Sequence, residues 1–225
     1  MCVNYRPTRA ELLEAMTGAS PAHLGSWKEE VWQDYQAPIM RAGPGGEREL
    51  LLGSYGMIPK DKIPAGVPKL STMNARAETV GEKRSYSKQW RQAQTCLLPT
   101  EWFYEPNWET GKAERWAIGM ADGEPFCIAG LWRSWEEEQG FRFSFTQLTL
   151  NATDHPLMKR FHKPADEKRS LVIVPRLEWD AWLNAGDPEV ARSMLNLYPA
   201  ELMKAWPAAK GYGGKSKRSV EAAYW

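Results

Sequence analysis

The sequence predicts an α+β fold, a single domain with an antiparallel, barrel-like β-sheet core flanked by helices. Between Thr95 and Pro175 the chain repeats short runs rich in aromatic and β-branched residues, separated by Gly, Pro or charged turns. TCLLP, WFYEP, ERWAIGM, PFCIAGLW, FRFSFTQLTL and RSLVIVP are such runs, and they read as successive strands. Both ends of the chain carry helix signals instead. A length of 225 residues suits one domain able to bury a sizeable core without disulfides.

Taken in order, residues 8–11 (T-R-A-E) form a capping box ahead of L-L-E-A-M, and Gly18 is placed as the C-cap of a first helix. Residues 19–48 are Pro/Gly-rich and irregular, with a short strand at Ala37–Met40. The run E-L-L-L-G-S-Y-G-M-I-P (49–59) reads as a buried strand leaving into a polar, Pro-punctuated loop that carries Lys60, Lys62 and Lys69. Ala75–Gln94 fits helical pieces broken near Gly81. F-R-F-S-F alternates as a half-buried strand does. L-E-W-D-A-W-L-N-A and D-P-E-V-A-R-S-M-L-N-L-Y then return to helix, the second opened by Asp187 with Pro188 in its first turn. The folded domain is expected over 1–210, with 211–225 a basic, flexible tail.

Composition narrows the function. Lys and Arg number 29 against 28 Asp and Glu, so any grip on nucleic acid is local rather than global. Three cysteines without paired spacing argue against a secreted disulfide framework and for a reducing, cytoplasmic location. Residues 1–30 lack the apolar region of a signal peptide, and no apolar stretch approaches the about 18 residues of a membrane span. The three His and three Cys are too scattered for a zinc site, and G-P-G-G (43–46) lacks the Lys-Ser/Thr of a phosphate loop. Neither metal nor cofactor is expected. The twelve tryptophans are first of all core filler, with base stacking a second use.

Five residues carry candidate chemistry. Removal of Met1 leaves Cys2 with an amine and a thiol on adjacent carbons. The amine, near 7.7–8.0 in reference peptides, attacks an aldehyde to give an imine, and the thiol then closes a thiazolidine on the same carbon. A ring-opened abasic deoxyribose presents that aldehyde; a cysteine at position 2 taken alone is more simply an accident of the start. Asn74, in N-A-R-A-E-T, is placed to hold an amine or sugar oxygen or, more plainly, to cap the next helix. Arg76 is a phosphate ligand, with Glu78 as its structural partner. Glu105, framed by Trp102, Phe103, Tyr104 and Pro106, is a candidate acid/base whose carboxyl desolvation would raise. His162 follows a basic run and suits proton shuttling, with His155 in the same loop as its competitor.

Together these pieces resemble the SOS-response-associated peptidase family, whose members are described as abasic site processing proteins. The resemblance covers about Met1 to Leu183: Met1-Cys2, Y-G-M-I-P (55–59), N-A-R-A-E-T (74–79), C-L-L-P…W-F-Y-E (96–105), and the His loop before L-V-I-V-P. It implies a sheet-rich α+β fold with a basic groove. It also implies capture of abasic sites in single-stranded DNA as a covalent thiazolidine crosslink, protecting the lesion during the DNA damage response. On it, Cys2 is the nucleophile, Asn74 orients the amine and opened sugar, Glu105 donates and accepts protons, and His162 assists ring opening and reversal. Autopeptidase and lyase-type activities accompany this chemistry. Val3-Asn4 stand where the family has Gly-Arg, leaving Arg6 as substitute, and F-Y-E-P replaces F-Y-E-W. DNA contacts then fall to Arg6, Lys69, Arg76, Arg84 and neighbouring lysines, with stacking from Tyr55 or Trp90. The expected partner is DNA, bound by a monomer. Two alternatives remain: a thiol peptidase using Cys2, and a DNA-binding module that forms no adduct.

Overall fold

The computed structural model describes residues 2–68 and 71–208. The tail over 211–225 and Lys69 lie outside the described residues. In chain order the regular elements are β1 (Tyr5–Pro7), α1 (Ala10–Thr17), β2 (Gln36–Ala42), β3 (Arg48–Tyr55), β4 (Asn74–Arg76), α2 (Ser87–Arg91), β5 (Thr95–Asn107) and β6 (Glu114–Met120). They continue with β7 (Phe126–Glu137), β8 (Gly140–Asn151), β9 (Arg169–Leu171), β10 (Ile173–Val174), α3 (Trp179–Leu183), α4 (Pro188–Ser193) and β11 (Met203–Pro207). No described helix is long and apolar enough to cross a membrane.

Five strands close on themselves in the order β5–β7–β8–β3–β2, since β2 returns to β5 through Met40 and Leu97. The first half of β5 pairs with β7, and its second half diverges to pair with β6, onto which β11 is added. Strand residues alternate between two faces, and the hydrophobic core divides accordingly. Ile39, Tyr55, Cys96, Leu98, Ile128 and Phe145 belong to the cluster that fills the barrel. Their neighbours Met40, Leu97, Cys127, Ala129 and Leu148 face outward under a second cluster, which also holds Leu13 of α1, Trp90 of α2, and Trp179 and Trp182 of α3.

Several expectations are corrected. The T-R-A-E capping box does not form. Thr8 is buried, its amide donates to the Pro99 carbonyl and its hydroxyl faces the Met16 sulfur, so Arg9 becomes the N-cap. Gly18 does end α1 in the left-handed region, φ 74. Asn74–Arg76 is strand rather than a helix start, because its backbone is taken up by a parallel pairing with Gln147–Thr149. The sheet is therefore not wholly antiparallel: β3 and β4 both run parallel to β8. TCLLP and WFYEP merge into one strand through Pro99. The sequence reading missed β11. At the other end, Asp187 caps α4 by accepting from the amides of Glu189 and Val190.

Barrel closure requires a very close approach at Gly130, which lies between Cys96 of β5 and Gln147 of β8. A Cβ there would meet Leu98 and stand 2.6 Å from the Thr146 carbonyl oxygen. Gly130→Ala is expected to lower stability by about 2 kcal/mol through overpacking, read as a reduced midpoint in urea. An unchanged midpoint would show that closure tolerates a side chain at this position.

Candidate functional site

β1 pairs antiparallel with β5, Tyr5 opposite Phe103, and this pairing draws the N-terminal residues along β5 toward Glu105. Asn4 continues the register, its carbonyl accepting from the Tyr104 amide at 3.3 Å. Cys2 is consequently buried, with 1% exposure. Its thiol donates to the Asn4 carbonyl at 3.1 Å. Burial pushes that thiol far above the usual range, and the nearby Glu105 charge adds to the effect.

The Cys2 carbonyl is held from β4 and β3. Asn74 Nδ2 donates to it at 2.6 Å, and the Tyr55 hydroxyl lies 3.4 Å away while donating to Gln147 Oε1 at 2.7 Å. Parallel pairing sets Asn74 beside Gln147, so one strand register positions both amides. Asn74 Oδ1 and Gln147 Nε2 are buried and have no hydrogen-bond partner among the described residues. Each such group costs on the order of 1–3 kcal/mol where it is left unsatisfied.

Glu105 and His162 meet at the end of β5. Glu105 is 3% exposed, and burial raises its carboxyl to about 7. The His162 loop is pinned to β5 by its amide donating to the Pro106 carbonyl and by the bridge between Asn107 and Phe161. His162 itself takes φ +65, a left-handed conformation uncommon outside glycine that aims its ring at the site. Nδ1 lies 3.4 Å from Glu105 Oε2, and Nε2 lies 3.3 Å from the Arg169 carbonyl oxygen. Burial lowers the imidazole to about 4. At neutral pH the ring is therefore neutral beside a carboxyl poised to gain or lose its proton. His155 is not at this site: Nε2 faces the Tyr198 carbonyl and Nδ1 accepts from Met158, an internal cap of its loop.

The fold thus brings Cys2, Asn74, Glu105 and His162 together. The other predicted contacts disperse. Arg76 is exposed two residues beyond Asn74, but its partner is Glu167 at 2.8 Å, not Glu78. Arg6 is engaged by Glu29 and Glu101 and lies over the Trp102 ring. Two stacking assignments are corrected. Tyr55 is fully buried, stacked on Phe145, and Trp90 is 2% exposed beneath Arg192, so neither ring can receive a base. Arg84 is exposed beside a cleft.

Sequence reasoning missed Gln147 and Arg169. The guanidinium of Arg169 is buried and binds Glu78 at 2.8 Å, Glu167 at 2.8 Å and the Thr149 carbonyl at 2.6 Å. It fastens β9, and so the carbonyl behind His162, to β8 and to the segment following β4. A lone Arg opening the strand before L-V-I-V-P was its only signal in the sequence.

Comparison with known proteins follows the same lines. The family described as SOS response associated peptidase (SRAP) matches residues 1–212. The abasic site processing protein YoqW of Bacillus subtilis is 28% identical over 152 residues, covering 66% of this chain and 65% of that protein. Abasic site processing protein YobE of the same species is 30% identical over 138 residues, covering 60% and 59%. The chain thus aligns with less than two thirds of the length of these relatives. A crystal structure of a Bordetella bronchiseptica protein is 34% identical with a TM-score of 0.83, covering 92% of this chain and 100% of that one. A Bacteroides thetaiotaomicron protein, at 20% identity and a TM-score of 0.73 over 93% of both chains, shares the fold.

Arg169→Met is expected to cost on the order of 2 kcal/mol, because charge-assisted hydrogen bonds to two carboxylates and a carbonyl are lost. The acid limb of stability should change with it. Burial opposes ionisation of Glu78, yet Arg169 holds both Glu78 and Glu167 below the usual carboxylate range. Carboxyls lowered in the folded state stabilise it above their unfolded values near 4.5 and lose that contribution as pH falls further. Urea titrations below pH 5 should therefore show a shallower loss in the variant. A variant as stable and as acid-sensitive as wild type would exclude this role.

Proposed function

The chain belongs to the SOS response associated peptidase family, and on that premise we propose that it captures abasic sites in single-stranded DNA as a thiazolidine crosslink at Cys2. The observation that carries this reading is the convergence of a position-2 cysteine with a buried carboxyl raised to about 7 and a neutral imidazole. The names of the Bacillus relatives point to the same lesion.

The chemistry requires removal of Met1. The freed Cys2 amine adds to C1 of the ring-opened deoxyribose, forming a C–N bond while the aldehyde oxygen gains a proton. Loss of that oxygen as water gives the imine. The thiol sulfur then adds to the same carbon, its proton passing to the imine nitrogen, and one water has been released overall. Because burial keeps the thiol protonated, its attack needs a proton acceptor, and the Glu105 carboxylate is suited to that role. Glu105 takes a proton from the attacking amine and returns one to the departing oxygen. His162, neutral at physiological pH, takes the C1 hydroxyl proton as the sugar opens and assists reversal. Asn74 fixes the Cys2 carbonyl through Nδ2 and offers Oδ1 to the amine or a sugar hydroxyl. Arg76 would bind a phosphate in exchange for Glu167, with the protein acting as a monomer in the cytosol.

A general thiol peptidase has less support. His162 directs its ring nitrogens at Glu105 and Arg169, and Asn74 holds the Cys2 carbonyl rather than the imidazole. Peptidase chemistry confined to exposing Cys2 is compatible with the same groups.

Incubation with an abasic single-stranded oligonucleotide is expected to give a species stable on a denaturing gel, and intact mass should show Met1 absent from the reactive protein. Cys2→Ala should abolish the adduct; its persistence would sink the proposal. Because burial raises the Glu105 carboxyl, the crosslinking rate should rise with pH through an inflection above the ordinary carboxylate range as Glu105 ionises. Glu105→Gln should lower the rate on the order of 100-fold, the usual size of a general acid–base contribution, and leave only the later inflection of the amine. Retention of the lower inflection in that variant would assign it to another group.

A further inference from the structure

Outside the site, β7 carries a feature that the chemistry above does not use. Arg133 and Trp135 share a face of the strand, two residues apart, on the outer wall with Leu131. The Arg133 guanidinium lies 3.7 Å from the centre of the Trp135 ring. The ring is itself fixed, for Trp135 Nε1 donates to Ser144 Oγ at 2.8 Å and Ser144 Oγ donates to the Met57 carbonyl at 2.9 Å. These two residues form one side of a cleft of about 380 Å³, whose other side is Ile58, Lys62, Ile63, Pro64, Val67 and Pro68, with Arg84 at its edge.

The charges in this cleft are unevenly matched. Lys62 pairs with Glu137, and Arg142 with Asp61 and Glu137. The side chains of Arg133 and Arg84 make no hydrogen bond or ion pair with any described residue. Arg133 is half-buried, and that burial lowers its affinity for its proton, the mark of a cation desolvated without a compensating anion. A rigid guanidinium stacked on an indole, with its donor edge open, matches the planar recognition of phosphate. Exposed Val67 and the prolines offer apolar surface for a base beside it.

The cleft is tied to the candidate site through the chain segments that line both. Tyr86 donates to the Asn74 carbonyl at 3.1 Å and lies two residues from Arg84. Ile58 follows Tyr55 by three residues, and its amide is held by Thr72 Oγ1, two residues before Asn74. From Gly130, opposite Gln147, to Trp135 is five residues along β7, or about 17 Å at ~3.4 Å per residue. At ~3.4 Å of axial rise per stacked nucleotide, that separation corresponds to about five nucleotides, and to fewer if the strand is extended.

We propose that the cleft formed by Arg133, Trp135, Lys62 and Arg84 is a second nucleic-acid subsite, holding a phosphate and adjoining base of the single strand that flanks the captured lesion. The inference rests on the reading that the protein acts on single-stranded DNA. Arg133 supplies the bidentate phosphate contact, Arg84 a second cation, and the loop over 58–68 the apolar wall. The subsite sets affinity and strand polarity and takes no part in the bond-forming steps.

The test compares wild type, Arg133→Gln and Arg133→Lys on abasic oligonucleotides extended by ten nucleotides on the 5′ side only, on the 3′ side only, or by two on each side. Arg133→Gln is expected to weaken binding about fivefold for one polarity of extension and to reduce the salt slope by about 0.7, the value of one phosphate on a single strand. Arg133→Lys should fall between the two. The crosslinking rate at saturating DNA should be unchanged, since Arg133 touches none of the reacting groups. Equal affinity and salt slope for Arg133→Gln and wild type on all three oligonucleotides would overturn the proposal, as would an equal loss on the shortest one. If wild type binds these strands without forming an adduct, the crosslinking reading fails while the affinity comparison still decides the subsite.

Discussion

Closure of the five-strand barrel is the constraint on which the rest of the molecule depends. It is completed where β2 returns to β5, and β5, once past its pairing with β7, runs on to pair with β6 and to carry Glu105 at its far end. One continuous strand therefore shapes the core and places the acid/base group. The approach at Gly130 is close enough to exclude any side chain, and Gln147, directly across β8, belongs to the network around Cys2. A defect in closure would be felt at the site through a single residue pair.

Burial then decides the protonation of the groups that the fold has gathered. The Glu105 carboxyl keeps its proton to about 7 while the His162 imidazole surrenders its own near 4. Their contributions to stability oppose each other. Glu105 stabilises the folded state below its ordinary value near 4.5 and loses that contribution as pH rises through about 7. His162 stabilises it above its ordinary value near 6.5, and that contribution disappears as pH falls toward 4. Over the interval they share, the two slopes offset, so the pair remains proton-exchanging without tying global stability steeply to pH.

Around this site the charged network is divided between holding the protein and waiting for a ligand. Arg169, Glu78 and Glu167 bind β9 to β8 and set the carbonyl behind His162. Arg6 serves the attachment of β1 and α1 through Glu101, which also accepts from the Arg9 amide. Arg133 and Arg84 stand apart from both networks. With near-equal numbers of basic and acidic residues overall, such locally unmatched cations are where attraction for a polyanion is concentrated.

Much of this was legible in the chain itself. Alternation and turn residues identified β5 to β10 as strands, Gly18 and Asp187 ended and began their helices, and Cys2, Asn74, Glu105 and His162 were marked by residue type and by their motifs. These are local signals, and they hold because backbone preference and residue chemistry act over a few neighbours. What the sequence missed depended on distant partners. Asn74 entered a strand because β8 offered a parallel edge. Tyr55 and Trp90 were drawn into the core by packing on Phe145 and beneath Arg192. Arg76 and Glu78 exchanged their expected pairing for Glu167 and Arg169. The sequence determined which groups are present and which elements form. Burial and long-range pairing, which no local pattern encodes, decided which groups face one another and which of them carry a proton.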